Sequence, residues 1–154
     1  MQNNKDENLL KPTSELRFDL VSKDWVVIAT GRAKRPEAFA QQKREEEKKS
    51  AEDCFFCDLK DQLPPVLEYK DGKGEWEVAV IPNKYPAFFH SKNLHERALG
   101  PYSLMDGVGF HEVVLTRDHE KSLAQLPVEQ IRKLIDAYQE RYLELTNEEN
   151  VNYI

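Results

Sequence analysis

Cys54-Phe55-Phe56-Cys57 is the sharpest chemical signal in the chain. Two thiolates separated by two residues converge on one point when the residues between them turn tightly, and such a pair can grip a single zinc ion. No other cysteine occurs in the 154 residues, so further ligands would have to be histidines or carboxylates. The same spacing serves redox dithiols, which want a helix N-terminus after a strand to lower the thiol pKa. Here Asp53 and Asp58 flank the pair and favour the thiol, and Pro64-Pro65 breaks the run that follows. Two buried cysteines with no ligand are the third reading.

Four histidines are available. His119 follows Thr116-Arg117-Asp118, past a strand and ahead of a helix, from where an imidazole can reach a metal; taken alone, a loop histidine is more commonly a surface residue. His111 stands after Gly107 and Gly109 at the start of a strand, and His90 and His95 lie in a loop with no partner visible in the sequence. Arg32, Lys34 and Arg35 place three cations in four residues. They could clamp a diphosphate, since arginine offers paired donors, or simply form a solvated turn. Asn83, in the apolar loop Pro82-Asn83-Lys84-Tyr85-Pro86, could hydrogen-bond a ribose or base, or cap its own turn.

The elements that must position these residues follow from patterning. Leu16–Leu20 alternates apolar and polar residues, and Trp25–Ala29 is rich in β-branched ones, which predicts a hairpin turning at Ser22-Lys23-Asp24. Trp76–Ile81 and His111–Thr116 read as further strands, the former after the turn signal Asp71-Gly72-Lys73-Gly74. Residues 90–109, with two histidines, three glycines and a proline, read as a long loop. From Pro127 the spacing predicts an amphipathic helix of about 20 residues, with Pro127 and Glu129 suited to its N-terminal end. Its apolar stripe would be Ile131, Leu134, Ile135, Tyr138, Tyr142 and Leu145, with Arg132, Lys133, Glu140, Arg141 and Glu144 mostly on the other side. Val151–Ile154 reads as the opening of another strand. Strands first and one long helix late imply an α+β fold, an antiparallel sheet with a helix on one face. Residues 1–14 read as a disordered tail and residues 41–53 as a charged, solvated loop.

Composition narrows the function classes. Apolar content is 40%, charged content 32% and net charge −6. That balance argues against a general nucleic-acid binder, which needs a basic face. No stretch approaches the ~20 apolar residues of a membrane span, and the polar N-terminus has no apolar signal core, so a soluble cytoplasmic protein is expected.

Taken in order, the motifs are specific. An Arg17-Phe18-Asp19 strand, a strand with Trp25, Arg32-x-x-Arg35-Pro36, Cys54-x-x-Cys57, Asn83-x-x-Pro86-Ala87, Gly109-x-His111-Glu112-Val113 and Asp118-His119 succeed one another from about residue 15 to the last residue. This order resembles the N-terminal half of the galactose-1-phosphate uridylyltransferase family, within the histidine-triad superfamily. The resemblance implies a zinc ion held by Cys54, Cys57 and His119. The family's fourth ligand belongs to a His-x-His segment that also carries the nucleophilic histidine, and the chain ends before it; His111 does not match that position. Arg32 and Arg35 match family arginines that contact nucleotide phosphates, and Asn83 matches an asparagine that contacts the nucleoside.

By resemblance, then, residues 15–154 are the front of a nucleotidylyltransferase domain, an incomplete histidine-triad-like half with no catalytic residue of its own. The implied partners are a UDP-sugar and a hexose 1-phosphate, with a homodimer or a C-terminal half completing the protein. The implied reaction is a two-step exchange in which a histidine attacks the α-phosphorus of UDP-glucose, releases glucose 1-phosphate, and then gives the uridylyl group to galactose 1-phosphate. The rival readings are an adenylyl-transferring phosphorylase acting on ADP-glucose or a dinucleotide, and a non-catalytic zinc-stabilised module.

Overall fold

In the computed structural model the described residues are 14–29, 54–57, 59 and 62–154. The readings for residues 1–13, for the charged loop 41–53 and for Arg32 and Arg35 lie outside them. The chain divides into two compact units, Met1–Pro36 with Tyr85–His111, and Glu37–Lys84 with Glu112–Ile154. The architecture is α+β, as the order of elements implies, but the strands form two antiparallel sheets instead of one.

The first unit contains a four-stranded sheet. Strands β1 (Glu15–Phe18) and β2 (Trp25–Ile28) form the expected hairpin, with Phe18 opposite Trp25 and their rings 5.4 Å apart. The Asp19 carboxylate closes the turn by accepting the Val21 amide at 2.7 Å, and Lys23 takes a positive φ of 66°. Residues 90–109, expected to be a loop, instead contain strand β5 (Glu96–Leu99) and strand β6 (Tyr102–Asp106), joined through Gly100 at φ 60°. The sheet order is β2-β1-β6-β5. Every residue of β5 is exposed, so no apolar alternation marks it; pairing with β6, and of β6 with β1, makes it a strand. Around the buried Ser14 the backbone is crowded: its hydroxyl donates to the Ala87 carbonyl, and a Cβ at Gly107 would stand 2.9 Å from the Ser14 Cβ.

The second unit carries the core. Strands β3 (Leu67–Lys70), β4 (Trp76–Pro82) and β7 (Glu112–Thr116) form a sheet in the order β3-β4-β7. Val78, Ala79, Val80 and Ile81 of the central β4 are all buried, which explains its unbroken apolar run. Helix α1 (Val128–Leu145) packs on this sheet and begins where Pro127 predicts, with Glu129 in its first turn. Leu134 and Ala137 meet Val78 and Val80, with Leu67, Tyr69, Val114 and Ile131 around them.

The helix face differs from the predicted stripe. Ile135, Tyr138 and Tyr142 are 56%, 53% and 52% exposed, while Gln130, Leu134 and Ala137 are buried. The line 130–134–137 is the one that meets the sheet, and the tyrosines lie about a flank away. Two cations placed on the outer side also reach the sheet. Arg141 forks onto Glu112 of β7 at 2.5 and 2.8 Å, and Lys133 pairs with Glu77 of β4. Residues 151–154 form no strand. No helix among the described residues is long and apolar enough to cross a membrane.

Tyr69 of β3 donates its hydroxyl to Glu140 of α1 at 2.6 Å. This hydrogen bond to the carboxylate, with partial burial and the negative charge of Glu140, pushes the phenol up to about 12. The raised folded-state value means that the contact contributes fully below the ordinary phenol range near 10 and is lost as pH rises through about 12. An NMR titration of the Tyr69 ring is expected to report that high midpoint, and Glu140→Ala to bring it down toward the ordinary value.

Candidate metal centre

The Cys54–Cys57 segment is a tight turn, closed by the Cys57 amide donating to the Cys54 carbonyl at 3.2 Å. Its tip is braced from outside. Gln62 donates its side-chain amide to the Phe55 carbonyl at 2.8 Å, and Lys84 Nζ sits 5.0 Å above the Phe55 ring. Phe55 and Phe56 pack edge to face, 5.3 Å apart. Neither Gln62 nor Lys84 was legible as part of this centre, because neither stands at a spacing that points to the cysteines.

His119 arrives from the end of β7. The Arg117 amide continues the pairing with β4 by donating to the Glu77 carbonyl at 3.0 Å, and the Arg117 guanidinium pairs with Glu75 at 2.6 Å. Asp118 then reverses the chain: its carboxylate accepts the Glu120 and Lys121 amides at 3.2 and 3.0 Å and the Lys121 ammonium at 2.7 Å. The Lys121 ammonium foremost, and these amides, hold the Asp118 carboxyl below its usual range. An ionised Asp118 is therefore the fastener of the turn that carries His119, whose ring stays exposed beside the two sulfurs.

The two sulfurs and a ring nitrogen of His119 all lie within 4.8 Å of one another, and Cys57 Sγ stands 3.4 Å from His119 Nδ1. Two ligands of one tetrahedral zinc, with bonds of about 2.3 Å to sulfur and 2.0–2.1 Å to nitrogen, would be roughly 3.5 Å apart. The donor set and its spacing therefore fit a thiophilic ion. The electrostatics fit as well. Burial pushes the Cys54 thiol up, but the Phe56 amide, the Cys57 side chain and amide, and His119 outweigh it and hold Cys54 below the ordinary thiol range. Burial, followed by the Cys54 sulfur beside it, pushes Cys57 up. The two thiols are thus shifted in opposite directions, Cys54 down and Cys57 up, and a metal ion bound by both sulfurs would displace their protons.

The structure thus brings Cys54, Cys57 and His119 together, as the resemblance implies. His111 is placed elsewhere: its Nδ1 accepts the Ala87 amide at 2.9 Å within the first unit. His95 Nδ1 is 2.8 Å from the buried Asp106, and the His90 ring lies 5.1 Å from Phe110. Asn83 follows directly on β4 and is half-buried. Arg32 and Arg35 belong to the residues not described.

Because Asp118 fastens the turn without itself ligating, Asp118→Ala is expected to weaken metal binding about 10–100-fold, the usual cost of an outer-shell partner. A competition titration with a chromogenic chelator measures this.

Comparison with known proteins agrees with the motifs. Residues 4–154 match the family described as galactose-1-phosphate uridyl transferase, N-terminal domain. The chain is 31% identical over 147 residues to an ADP-glucose phosphorylase of Arabidopsis thaliana, covering 91% of this chain and 41% of that protein. It is 26% identical over 142 residues to a galactose-1-phosphate uridylyltransferase of Thermotoga maritima, covering 91% and 39%. It is 27% identical over 145 residues to the galactose-1-phosphate uridylyltransferase of Haemophilus influenzae, covering 89% and 40%. The chain spans about two fifths of the length of these relatives. No solved structure matches it. With nearly its whole length matched, the chain belongs to the galactose-1-phosphate uridyl transferase family, aligning with its N-terminal domain.

Proposed function

We propose that this chain is the zinc-bearing, nucleotide-binding front of an enzyme that transfers a uridylyl group between UDP-glucose and a hexose 1-phosphate. The observation that carries the reading is the Cys54–Cys57–His119 cluster, in a chain that belongs to this transferase family. Zinc in this position is structural: it ties the turn before β3 to the segment after β7. The chain's own contribution to the reaction is binding. Arg32 and Arg35 hold the diphosphate with paired, charge-assisted hydrogen bonds, and Asn83 hydrogen-bonds the nucleoside. No His-x-His occurs in the 154 residues, so none of them is assigned the nucleophile.

A second reading has an observation of its own. The relative named ADP-glucose phosphorylase shares 31% identity, against 26% and 27% for the two uridylyltransferases. That difference supports adenylyl transfer at the same phosphate cradle.

The test is calorimetric titration of the zinc-loaded 154-residue protein with UDP and with ADP. Binding is expected, with UDP the tighter ligand if uridylyl transfer is right and ADP if the second reading is. Replacing Arg32 and Arg35 together by alanine should weaken binding by at least about 10-fold, given about 1.5–3 kcal/mol per hydrogen bond to a charged group. Nucleoside diphosphate binding that ignores both arginines would contradict the proposal. The chain alone is expected to show no exchange between UDP-glucose and galactose 1-phosphate.

A further inference from the structure

The same turn that presents two sulfurs to a metal also presents them to each other. The Cys57 amide donates to the Cys54 carbonyl at 3.2 Å, which makes residues 54–57 a four-residue turn. Such turns hold their end Cα atoms within about 7 Å, and a disulfide spans Cα separations of about 4.4–6.8 Å. The two sulfur atoms already lie within 4.8 Å of each other. Neither cysteine is fully buried, and Phe55 and Phe56 at the tip are exposed, so small solutes can reach the turn. No third cysteine exists in the chain to compete for either sulfur. The Gln62 and Lys84 contacts hold the Phe55 end of the turn and involve no sulfur.

We propose that Cys54 and Cys57 are a site of reversible oxidation, in which an intrachain disulfide and a bound metal exclude one another. The oxidant class is a hydroperoxide. One thiol attacks the peroxide oxygen, giving a sulfenic acid and, from hydrogen peroxide, one water. The other thiol then attacks that sulfur, the S–S bond forms, the S–O bond breaks, and a second water leaves. Two electrons pass from the sulfur pair to the peroxide, and a dithiol reductant returns them. The disulfide removes two of the three donors, leaving His119 alone, so oxidation releases the ion. A bound metal draws on one lone pair of each sulfur, lowers its nucleophilicity and slows the first attack. This inference rests on the proposed metal occupancy of the cluster, and the experiment separates the two.

The purified 154-residue chain is prepared metal-free and zinc-loaded, and each form is exposed to hydrogen peroxide. Thiols are counted with a chromogenic disulfide reagent, intact mass is recorded, and released zinc is followed with a chelating dye. The metal-free form is expected to lose both thiols together, to fall in mass by about 2 Da and to recover both with a dithiol reductant. The zinc-loaded form is expected to react at least about 10-fold more slowly and to release its zinc in step with thiol loss. His119→Ala keeps both sulfurs and is expected to form the disulfide while losing most of the protection by zinc. Retention of both thiols, gain of oxygen mass without a disulfide, dimers linked between chains, or equal rates with and without zinc would overturn the inference. Failure to bind zinc at all would also overturn the mutual exclusion. That result is told apart because it defeats the metal reading before any oxidant is added.

Discussion

Cys57→Ser is expected to lower zinc affinity by more than about 100-fold, beyond the 10–100-fold that loss of an outer-shell partner costs. Cys57 is the sulfur 3.4 Å from His119 Nδ1, so its loss opens the side of the cluster that joins the two chain segments. A structural ion that binds only the folded chain stabilises it by about 4 kcal/mol when its concentration is 1,000 times its Kd. A chelator is therefore expected to lower the melting temperature of the parent protein and to leave that of Cys57→Ser unchanged. The pH dependence has a definite sign. Burial and the neighbouring sulfur push the Cys57 thiol up, so the ion must displace a proton there. Zinc affinity is expected to rise with pH until that thiol is ionised, and to fall as pH drops below it.

Leu134→Ala is expected to cost about 2–5 kcal/mol, the range for emptying a well-packed leucine site. Leu134 is buried with Ala137 against Val78 and Val80, and this is the contact that holds α1 on the sheet of the second unit. The neighbouring Ile135→Ala is the control: that side chain is more than half exposed, and its loss is expected to stay within about 0.5 kcal/mol. Urea unfolding of both variants checks the pair. Equal costs at 134 and 135 would place the helix on the face that sequence periodicity alone suggests.

That contrast shows where the sequence was legible. The helix itself was readable because eighteen residues hold a 3.6-residue period behind a proline and a glutamate. Which line of that helix faces inward was not, since Ile135, Tyr138 and Tyr142 keep the same helical spacing as Ile131 and Leu134, and tyrosine can stand in water. Arg141 reads as an outer residue, yet it is clamped to Glu112, and Gln130, which is no part of the apolar stripe, is buried. The decision lies in the sheet, which offers small β-branched side chains to Leu134 and Ala137 and a carboxylate to Arg141.

Strands were readable when their apolar residues were dense, as in β4 and β7, or when a turn sat between two such runs, as in the Phe18–Trp25 hairpin. Strand β3 has only Leu67 and Tyr69 in alternation, close behind Pro64-Pro65, too short a pattern to mark a strand by itself. Strands β5 and β6 were hidden among histidines, glycines and a proline. Their strand character comes from partners: Leu104 pairs with Arg17, some ninety residues earlier in the chain. A reading of local pattern has no access to that pairing.

The centre was legible for a different reason. A Cys-x-x-Cys turn carries its own geometry, and the order of motifs resembling the family pointed to His119 across 62 residues. What that order could not give is the scaffolding: Asp118 fastening the loop, Arg117 on Glu75, and Lys84 over Phe55. These contacts depend on β4 and β7 lying side by side, with the Cys54–Cys57 turn held in the same unit.

The most direct test of the central claim is X-ray absorption at the zinc edge on the zinc-loaded chain. Two sulfur scatterers at about 2.3 Å and nitrogen at 2.0–2.1 Å are expected, with one sulfur lost in Cys57→Ser. A first shell of nitrogen and oxygen alone, unchanged by that substitution, would contradict the assignment of Cys54, Cys57 and His119 to one ion.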